Sequence, residues 1–462
     1  MVSSDTSMRA AATEVARDAA PVELKSRPSR PPKAIHGPQV PPLRKSHRDL
    51  ERPPFQCVAL VLQGGGALGA FQAGVYQALV EANLHPDWVS GISIGAINAA
   101  LIAGNAPETR LDKLRAFWEQ VSAPPVPDFF GFADNYFGLA ESWLRGDLGR
   151  GFINRLHANA TLLKGAEGFF TPRWPPPYLS PPGTVEATSW YDTAPLKSTL
   201  ENLVDFDRIN ACEIRFSIGA VNIRSGNFVY FDSTTHKIRP EHVLASGALP
   251  PGFPPVEVDG ELYWDGGLVS NTPLQWVVSG DTRQDTLTFQ VDLWNARGEV
   301  PSDLTGVLVR QKEIQYSSRT RANTDFFKEV QRARVALANM VEKLPPELRD
   351  SDDGKVLRAV ADHRVLANIL GKLPQELLDS EDCRILQAVV DRSVYKIVHL
   401  IYRSKKYEGQ SKDYEFSRRS MLDHWEAGYI DAVRTLRHPE ALQPPTERTA
   451  VETFDLAVNG RE

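Results

Sequence analysis

Short runs of hydrophobic residues alternate with helical patterns in the first quarter of the chain. The run at 57–62 is uninterrupted, which is typical of a strand buried on both faces of a parallel sheet. The spacing of apolar and polar positions then predicts a helix at 70–82, a strand at 87–92 and helices at 94–103 and 111–121. This order predicts an α/β fold with a mainly parallel sheet covered by helices.

Further strands follow after a long interruption. Apolar runs predict strands at 214–221 and 227–231, and two short runs around Asp259-Gly260 predict a hairpin. The run at 286–293 is interpreted as the last core strand. The chain then becomes charge-rich with helical periodicity, so we predict a core domain at 55–300, a helical C-terminal extension at 301–440 and a tail at 441–462.

The interruption at 124–191 contains nine prolines and thirteen aromatic residues. A disordered insert would be poor in aromatic residues. We therefore interpret this aromatic and proline-rich insert as a packed, irregular flap that lines a ligand pocket. Filling of the core beneath long loops explains the same composition equally well.

A 29-residue repeat lies within the predicted helical extension. Residues 342–365 and 371–394 are identical at 13 of 24 aligned positions. Each copy has apolar positions at helical spacing after an acidic and serine-containing cluster that is typical of a helix N-cap. Two copies are too few for a solenoid, so the repeat is interpreted as a duplicated helical unit that covers the core or binds a partner.

Residues 1–54 differ in composition from the rest of the chain. Their nine prolines, ten Lys/Arg and six Asp/Glu predict a disordered, proline-rich basic tail, with contact to anionic lipid as the functional alternative. The N-terminus lacks the pattern of a secretory signal, and no apolar run reaches the length of a membrane span. We expect a cytoplasmic protein with at most peripheral membrane contact.

The overall composition argues against several classes of function. The net charge is −6, so there is no basic field of the kind that binds nucleic acid. The cysteines Cys57, Cys212 and Cys383 are odd in number and widely spaced, which predicts neither a disulfide framework nor a local zinc site. We expect no metal and no cofactor.

Ser93 lies in the motif Gly91-Ile92-Ser93-Ile94-Gly95, between a predicted strand and a predicted helix. Glycines flank the serine of a nucleophile elbow because the turn is tight, and the following helix directs the positive end of its dipole at the hydroxyl. A match to this motif is not specific by itself, and a glycine-rich turn with a spectator serine is the alternative. Its place between strand and helix favours a nucleophile.

The loop Gly64-Gly65-Gly66-Ala67-Leu68-Gly69 follows the first strand. It also fits the pattern of dinucleotide-binding proteins, but these carry an acidic residue at the end of the second strand, whereas Asp87 precedes its strand. Backbone N–H groups without neighbouring side chains suit an oxyanion hole. We therefore predict Gly65 and Gly66 as oxyanion donors.

Asp265-Gly266-Gly267 follows an apolar strand, and α/β sheets place their sites at the carboxyl ends of strands. A Ser-Asp-His hydrolase would carry its histidine after the acid. The histidines that follow Asp265 all lie in the predicted helical extension: His363, His399, His424 and His438. We interpret each of them as a surface or packing residue, and Asp265 as a candidate site residue at a strand end.

These motifs, together with the segment 246–256, resemble the patatin-like phospholipase family over roughly residues 57–293. The resemblance implies a three-layer α/β/α fold with a mainly parallel sheet, followed here by a helical C-terminal extension. It implies Ser93 as nucleophile and Asp265 as base. The motif glycines it implies are Gly64, Gly65 and Gly66 in the oxyanion loop, and Gly69, Gly91, Gly95, Gly266 and Gly267. Leu68 stands where many members carry Arg or Lys.

The same resemblance implies a serine acyl-ester hydrolase that acts on lipids, of phospholipase A or lysophospholipase type. It implies a Ser-Asp dyad and an acyl-enzyme intermediate, without a metal or cofactor. A transacylase with the same site and a catalytically silent lipid-binding protein are the alternatives. A lipid or other acyl ester is the expected partner, and the oligomeric state stays open.

Overall fold

The computed structural model describes residues 41–122, 147–279, 284–342, 393–405, 407–445 and 450–460. The strands are β1 (Cys57–Leu62), β2 (Trp88–Gly91), β3 (Thr171–Pro172), β4 (Tyr191–Asp192), β5 (Arg215–Asn222), β6 (Phe228–Asp232), β7 (Val256–Val258), β8 (Glu261–Asp265), β9 (Thr286–Asp292), β10 (Tyr395–Ile401) and β11 (Val451–Asp455). The helices are α1 (Ala70–Glu81), α2 (Ile94–Ala103), α3 (Arg110–Val121), α4 (Asp147–Lys164), α5 (Ala194–Leu203), α6 (Phe206–Asn210), α7 (Pro240–Ser246), α8 (Leu274–Ser279), α9 (Leu304–Glu342), α10 (Arg418–Leu436) and α11 (Leu456–Asn459).

Nine of these strands form one sheet in the order β11-β10-β9-β1-β2-β5-β8-β7, with β6 paired to β5. The six strands from β11 to β5 are parallel to their neighbours, whereas β6, β7 and β8 are antiparallel. Strands β3 and β4 form a separate two-stranded ribbon. The predicted mainly parallel sheet is confirmed.

Alternate residues of β1 face two hydrophobic cores. Leu60 and Leu62 belong to the larger core with residues of α1, α2 and α3, whereas Ala59 and Val61 belong to a smaller core with residues of α8 and Phe327 of α9. Helices therefore cover both faces of the sheet. The predicted three-layer α/β/α arrangement and the helical character of the C-terminal region are confirmed.

Helix α1, which the sequence predicts at 70–82, is buried along most of its surface. The reason is that α10 crosses it at close range. A Cβ atom at Gly74 would lie 1.9 Å from the carbonyl oxygen of Trp425, and one at Gly428 would lie 2.0 Å from that of Phe71. Glycine at both positions lets the two backbones touch.

Three boundaries predicted from the sequence need correction. Strand β9 is not the last core strand, because β10 pairs in parallel with β9, and β11 in parallel with β10. The predicted helical extension and the predicted tail at 441–462 therefore each add a strand. Residues 42–54, predicted as part of a disordered tail, pack on the core: His47 is 7% exposed and bonds Glu81 at 3.1 Å. These contacts join residues far apart in sequence, so local patterns do not show them.

Part of the predicted insert, at 123–146, and the duplicated unit, apart from its ends, lie outside the described residues. The rest of the insert contains α4 and a pair of buried aromatic residues. Phe169 and Phe170 pack against Phe253 and Phe416 in the larger core. Within the described ranges, no helix has the length and apolarity needed to cross a bilayer.

Candidate active site

Ser93 lies on the sharp turn between β2 and α2. Its φ of 55° and ψ of −124° are rare for a residue with a side chain, and such a backbone costs of order 1–3 kcal/mol unless the surroundings enforce it. The surroundings here are hydrogen bonds: the Ser93 N–H lies 3.2 Å from both the carbonyl oxygen and the Oγ of Ser246. Ser246 Oγ in turn donates to the carbonyl of Gly219 at 2.7 Å.

The glycines that flank Ser93 are required by close backbone contacts. A Cβ atom at Gly91 would lie 2.2 Å from the carbonyl oxygen of Gly95, and one at Gly95 would lie 2.2 Å from that of Leu62. No side chain fits at either position without moving the backbone. The predicted strand-turn-helix setting of the serine is therefore present.

Asp265 ends β8, and the fold brings its carboxyl group to the Ser93 hydroxyl. The Ser93 hydroxyl donates a hydrogen bond to the carboxylate, and the Gly267 N–H donates a second to Oδ1 at 2.7 Å. The residue is only 2% exposed. Burial raises the pKa of Asp265 to about 7, against the opposing effect of these two hydrogen bonds. A carboxyl group in this state exchanges a proton near neutral pH.

Gly266 and Gly267 make the turn after Asp265 possible. A Cβ atom at Gly266 would lie 2.6 Å from the carbonyl oxygen of Gly219, and one at Gly267 would lie 3.0 Å from Asp265 Oδ1. Any side chain at position 267 would thus crowd the carboxylate itself. These glycines allow the backbone to approach the carboxylate closely.

The glycine loop after β1 lies beside the serine. A Cβ atom at Gly64 would lie 3.1 Å from Ser93 Cβ and 2.4 Å from Asn271 Oδ1. The Gly64 N–H is occupied, since it donates to the Asn271 carbonyl oxygen at 3.2 Å. Among the described residues, no acceptor bonds the N–H of Gly65 or Gly66. Of the three glycines predicted for the oxyanion loop, these two are therefore available as donors, whereas Gly64 forms the wall beside Ser93.

The rest of the glycine loop faces the core. Leu68 is fully buried in the larger hydrophobic core, so this position brings no charge to the site. A Cβ atom at Gly69 would lie 2.5 Å from Ile94 Cγ1. Gly69 thus allows the loop to pack tightly against the first residue of α2.

Several residues that hold the loop were not predicted from the sequence. Asn271 Nδ2 and Trp294 Nε1 both donate to the Gly64 carbonyl oxygen, at 3.0 and 2.9 Å. The Ala67 N–H donates to the carbonyl oxygen of Asp413 at 2.8 Å, and Lys312 Nζ binds the Asp413 carboxylate at 2.8 and 2.9 Å. Asn271 lies four residues after the Asp-Gly-Gly motif, which was a usable signal. Asp413 lies in the C-terminal region and had none.

Two alternatives considered from the sequence lose support. Asp87 bonds the N–H of Val58, the second residue of β1, so it lies at the opposite end of that strand from the glycine loop and cannot serve a dinucleotide there. In the described part of the chain, no histidine bonds Ser93 or Asp265. His399 lies near Asp292, His424 near Glu408 and the Ala67 carbonyl, and His438 bonds Arg434. His363 lies outside the described residues.

The described residues contain no group of three or more His, Cys, Asp or Glu side chains that could hold a metal ion. The site instead combines a hydroxyl on a strained turn, a buried carboxylate bonded to it and two unoccupied N–H groups on the neighbouring loop. This combination suits acyl transfer through a serine nucleophile.

Family models match two parts of the chain. The family model described as Patatin-like phospholipase matches residues 60–278, which run from β1 through α8 and contain Ser93 and Asp265. The chain belongs to the patatin-like phospholipase family. A second model, described as Patatin phospholipase, matches the C-terminal region at 314–367 and 355–448. The family is one of lipid acyl hydrolases.

Individual relatives are more distant. Lysophospholipase nte1 of Aspergillus terreus is 45% identical over 73 residues, which is 16% of this chain and 5% of that protein. VipD of Legionella pneumophila is 14% identical with a TM-score of 0.32, over 89% of this chain and 77% of that chain. The ExoU-SpcU complex of Pseudomonas aeruginosa gives 18% identity and a TM-score of 0.23, over 96% and 85%. At TM-scores this low, the two structures support no conclusion about this chain.

Proposed function

We propose that this member of the patatin-like phospholipase family is a serine acyl-ester hydrolase that acts on lipids, of phospholipase A or lysophospholipase type. Ser93 is the nucleophile and Asp265 the general base. The observation that carries the proposal is the hydrogen bond from the Ser93 hydroxyl to a carboxyl group that is buried and has a raised pKa.

The reaction proceeds in two halves. Ser93 Oγ attacks the ester carbonyl while Asp265 accepts the hydroxyl proton, and the N–H groups of Gly65 and Gly66 donate to the developing oxyanion. The C–O bond to the alcohol then breaks, Asp265 returns the proton to the leaving alcohol, and an acyl-enzyme remains. Water attacks the acyl-enzyme with Asp265 again as base, which releases the fatty acid and restores the Ser93 hydroxyl.

The raised pKa of Asp265 supports its role as a base. A carboxylate with an ordinary pKa is a weak base at neutral pH, whereas a pKa near the working pH makes the proton transfer efficient. The helix α2 begins directly after Ser93, and its positive dipole end stabilises negative charge that develops at Oγ. Burial thus makes Asp265 a stronger base, and the helix dipole favours negative charge on the Ser93 oxygen.

The test is hydrolysis of a soluble nitrophenyl ester and of phospholipid by two variants, together with labelling by an organophosphorus probe. Ser93→Ala and Asp265→Asn should each lower kcat/KM by about a thousandfold or more, and Ser93→Ala should abolish labelling. Ser270→Ala and Asp259→Asn are matched controls, since they make the same chemical changes outside the dyad, and both should retain activity.

The outcomes also separate the alternatives. Labelling or turnover that survives in Ser93→Ala would contradict the assignment of the nucleophile. A protein that is folded but never labelled would be a silent lipid-binding protein. Acyl transfer to added glycerol or lysolipid in preference to water would identify a transacylase.

We also propose that the protein meets its substrate at a lipid surface, through exposed apolar residues of the insert. Trp174 and Tyr178 are 90% and 82% exposed, and Leu163 and Leu179 are also largely exposed. Trp and Tyr are the side chains that prefer the membrane interface, because each has an apolar body and a polar tip. The insert contacts the segment 246–256, since the Trp190 N–H donates to the carbonyl oxygen of Pro251 at 3.1 Å.

This membrane contact is tested by activity on two physical forms of substrate. Trp174→Ser should lower binding to phospholipid vesicles and hydrolysis of vesicle lipid, while hydrolysis of a soluble ester stays unchanged. Val300→Ser is the matched control, because Val300 is equally exposed but lies outside the insert. Equal loss on soluble and vesicle substrates would indicate damage to the site instead.

A further inference from the structure

A cavity of about 450 Å³ lies at the carboxyl ends of β9, β10 and β11. Its lining includes the last residue of each of these strands, Asp292, Ile401 and Asp455. The carboxyl ends of parallel strands are where α/β sheets bind ligands, and the volume is in the range of small-molecule sites. The proposed acyl-transfer mechanism does not use this cavity.

Two of the residues that line the cavity, Gln290 and Asp292, belong to a polar face of β9, although a central strand is usually apolar there. Thr288, Gln290 and Asp292 occupy alternate positions of β9, so their side chains share one face of the sheet, and all three are buried. Within the described part of the chain, one side-chain atom of each has no hydrogen-bond partner: Thr288 Oγ1, Gln290 Oε1 and Asp292 Oδ1. His399 Nδ1 of the neighbouring β10 has no hydrogen bond to any described residue either, and it lies 3.7 Å from Asp292 Oδ2.

Buried polar atoms without a hydrogen-bond partner destabilise the folded state. A buried donor or acceptor without a partner loses its hydrogen bonds to water without replacing them, so native structures contain few such atoms. Here Gln290, Asp292 and His399 all line the same cavity. Such a cluster is explained if a ligand supplies the missing partners.

The unpaired acceptors indicate a ligand with a positively charged donor. Asp292 Oδ2 accepts from Gln290 Nε2 at 2.7 Å, and His399 Nδ1 lies 3.7 Å away, beyond hydrogen-bond distance. Asp292 Oδ1 has no partner, and no Lys or Arg of the described chain forms an ion pair with this carboxylate. An ammonium group would satisfy both Asp292 Oδ1 and Gln290 Oε1.

Unpaired cations elsewhere in the lining indicate that the same ligand carries an anion. Lys328 is half-buried, and its Nζ contacts the Thr453 hydroxyl at 3.2 Å but no carboxylate within ion-pair distance in the described residues. Arg297 lines the cavity too and has no ion pair among the described residues. Burial lowers the pKa of Lys328, because it disfavours the charged ammonium group. A bound anion would stabilise that charge.

We propose that this cavity binds a small zwitterionic phosphate ester of an amino alcohol, with its ammonium group at Asp292 and Gln290 and its phosphate at Lys328 and Arg297. The lining carries three carboxylates and three Lys/Arg cations, which matches a ligand without net charge: Asp292, Asp325, Asp455, Arg297, Lys328 and Arg403. The choice of a phosphate ester rests on the proposed function, because deacylation of a phospholipid leaves such a head group.

The experiment is calorimetric titration of the full chain with sn-glycero-3-phosphoethanolamine. Saturable binding at one site per chain is expected. Asp292→Asn and Lys328→Met should each weaken it by about tenfold or more, since each removes a charge-assisted hydrogen bond. Asp112→Asn, on the exposed first turn of α3, is the matched control and should leave binding unchanged.

Further arms identify the ligand and its site. Glycerol 3-phosphate and ethanolamine, which carry one charge each, should bind at least tenfold more weakly than the zwitterion. Ser93→Ala should bind normally, so that a failure of the hydrolase proposal and a failure of this one can be told apart. Thermal unfolding shows whether each variant folds. If Asp292→Asn does not fold, the affinity of Lys328→Met for the ligand tests the proposal.

Four results would overturn the inference. The first is no heat of binding at millimolar ligand, which would mean that the cavity holds water alone. The second is unchanged affinity in Asp292→Asn or Lys328→Met. The third is loss of binding in Ser93→Ala, which would place the ligand at the catalytic serine. The fourth is tighter binding of a free amino acid such as serine, which would exclude the phosphate.

Discussion

Replacing the proposed base should make the protein more stable as it makes the enzyme inactive. Asp265→Asn keeps the shape of the side chain and an oxygen for the Gly267 N–H, but it removes the carboxylate charge. That charge is unfavourable in the fold, since burial raises the pKa of Asp265 from its usual 3.8 to about 7. The asparagine has no ionised form, so the variant avoids this penalty.

The size and sign of the effect follow from the pKa. Between about pH 4 and pH 7 the folded state binds more protons at Asp265 than the unfolded state does, so ionisation of this residue lowers the free energy of unfolding as pH rises. Each pKa unit is worth about 1.4 kcal/mol, so the loss reaches roughly 4 kcal/mol above pH 7. The variant should therefore gain nothing near pH 4 and roughly 4 kcal/mol at pH 8.

Thermal unfolding of wild type and variant, compared at pH 5, 6, 7 and 8, measures this difference. The compact unit spans residues 42–462, and an unfolding entropy of ~2 cal/mol/K per residue turns 4 kcal/mol into a shift of about 4–5 °C. Other titrating groups are common to both proteins, so their effects cancel in the difference.

Ser93→Ala is the control for this experiment. It is also expected to be inactive, but it keeps the buried carboxylate and removes the hydroxyl that donates to it, so it should show no gain at pH 8. A melting difference between wild type and Asp265→Asn that does not change from pH 5 to pH 8 would refute the reasoning. It would mean that the carboxyl group titrates normally in the fold.

Three further predictions concern the same site. The kcat/KM for a soluble ester should rise about tenfold per pH unit below pH 7 and level off above it, as Asp265 loses its proton; a profile already flat from pH 5 would contradict this. The free energy of unfolding of Ser93→Gly should be roughly 1 kcal/mol larger than that of Ser93→Ala, because glycine tolerates the φ of 55°. Equal free energies of unfolding in denaturant titrations would show that the turn is unstrained. Lys312→Met should free the segment at Asp413 that holds the glycine loop and lower kcat about tenfold with KM unchanged, and Lys312→Arg should restore kcat; a change in KM alone would argue against a positioning role.

Much of the fold near the serine could be predicted because its signals are local. The apolar run of β1, the glycine loop, the elbow at Ser93 and the hairpin that delivers Asp265 each lie within a few consecutive residues. The backbone demands of such turns restrict which residues can occupy them. Each motif is weak alone, but the three together, in the order typical of the family, were specific enough to carry the resemblance.

The C-terminal strands could not be predicted in the same way. Strand β10 contains Lys396 and His399 and follows a charge-rich region of helical periodicity, so its pattern does not stand out from its surroundings. Only its pairing with β9 makes it a strand of the core. The role of Asp413 could not be predicted either, because Asp413 holds the glycine loop through a hydrogen bond to Ala67, which is distant in sequence.

The sequence alone thus determined which residues could act and the local turns on which they lie. The tertiary structure decided that the Asp265 carboxyl meets the Ser93 hydroxyl, that burial raises its pKa, and that the C-terminal region completes the sheet and supports the loop. The physical reason is that turn geometry depends on neighbouring residues, whereas desolvation and strand pairing depend on atoms brought together from distant parts of the chain.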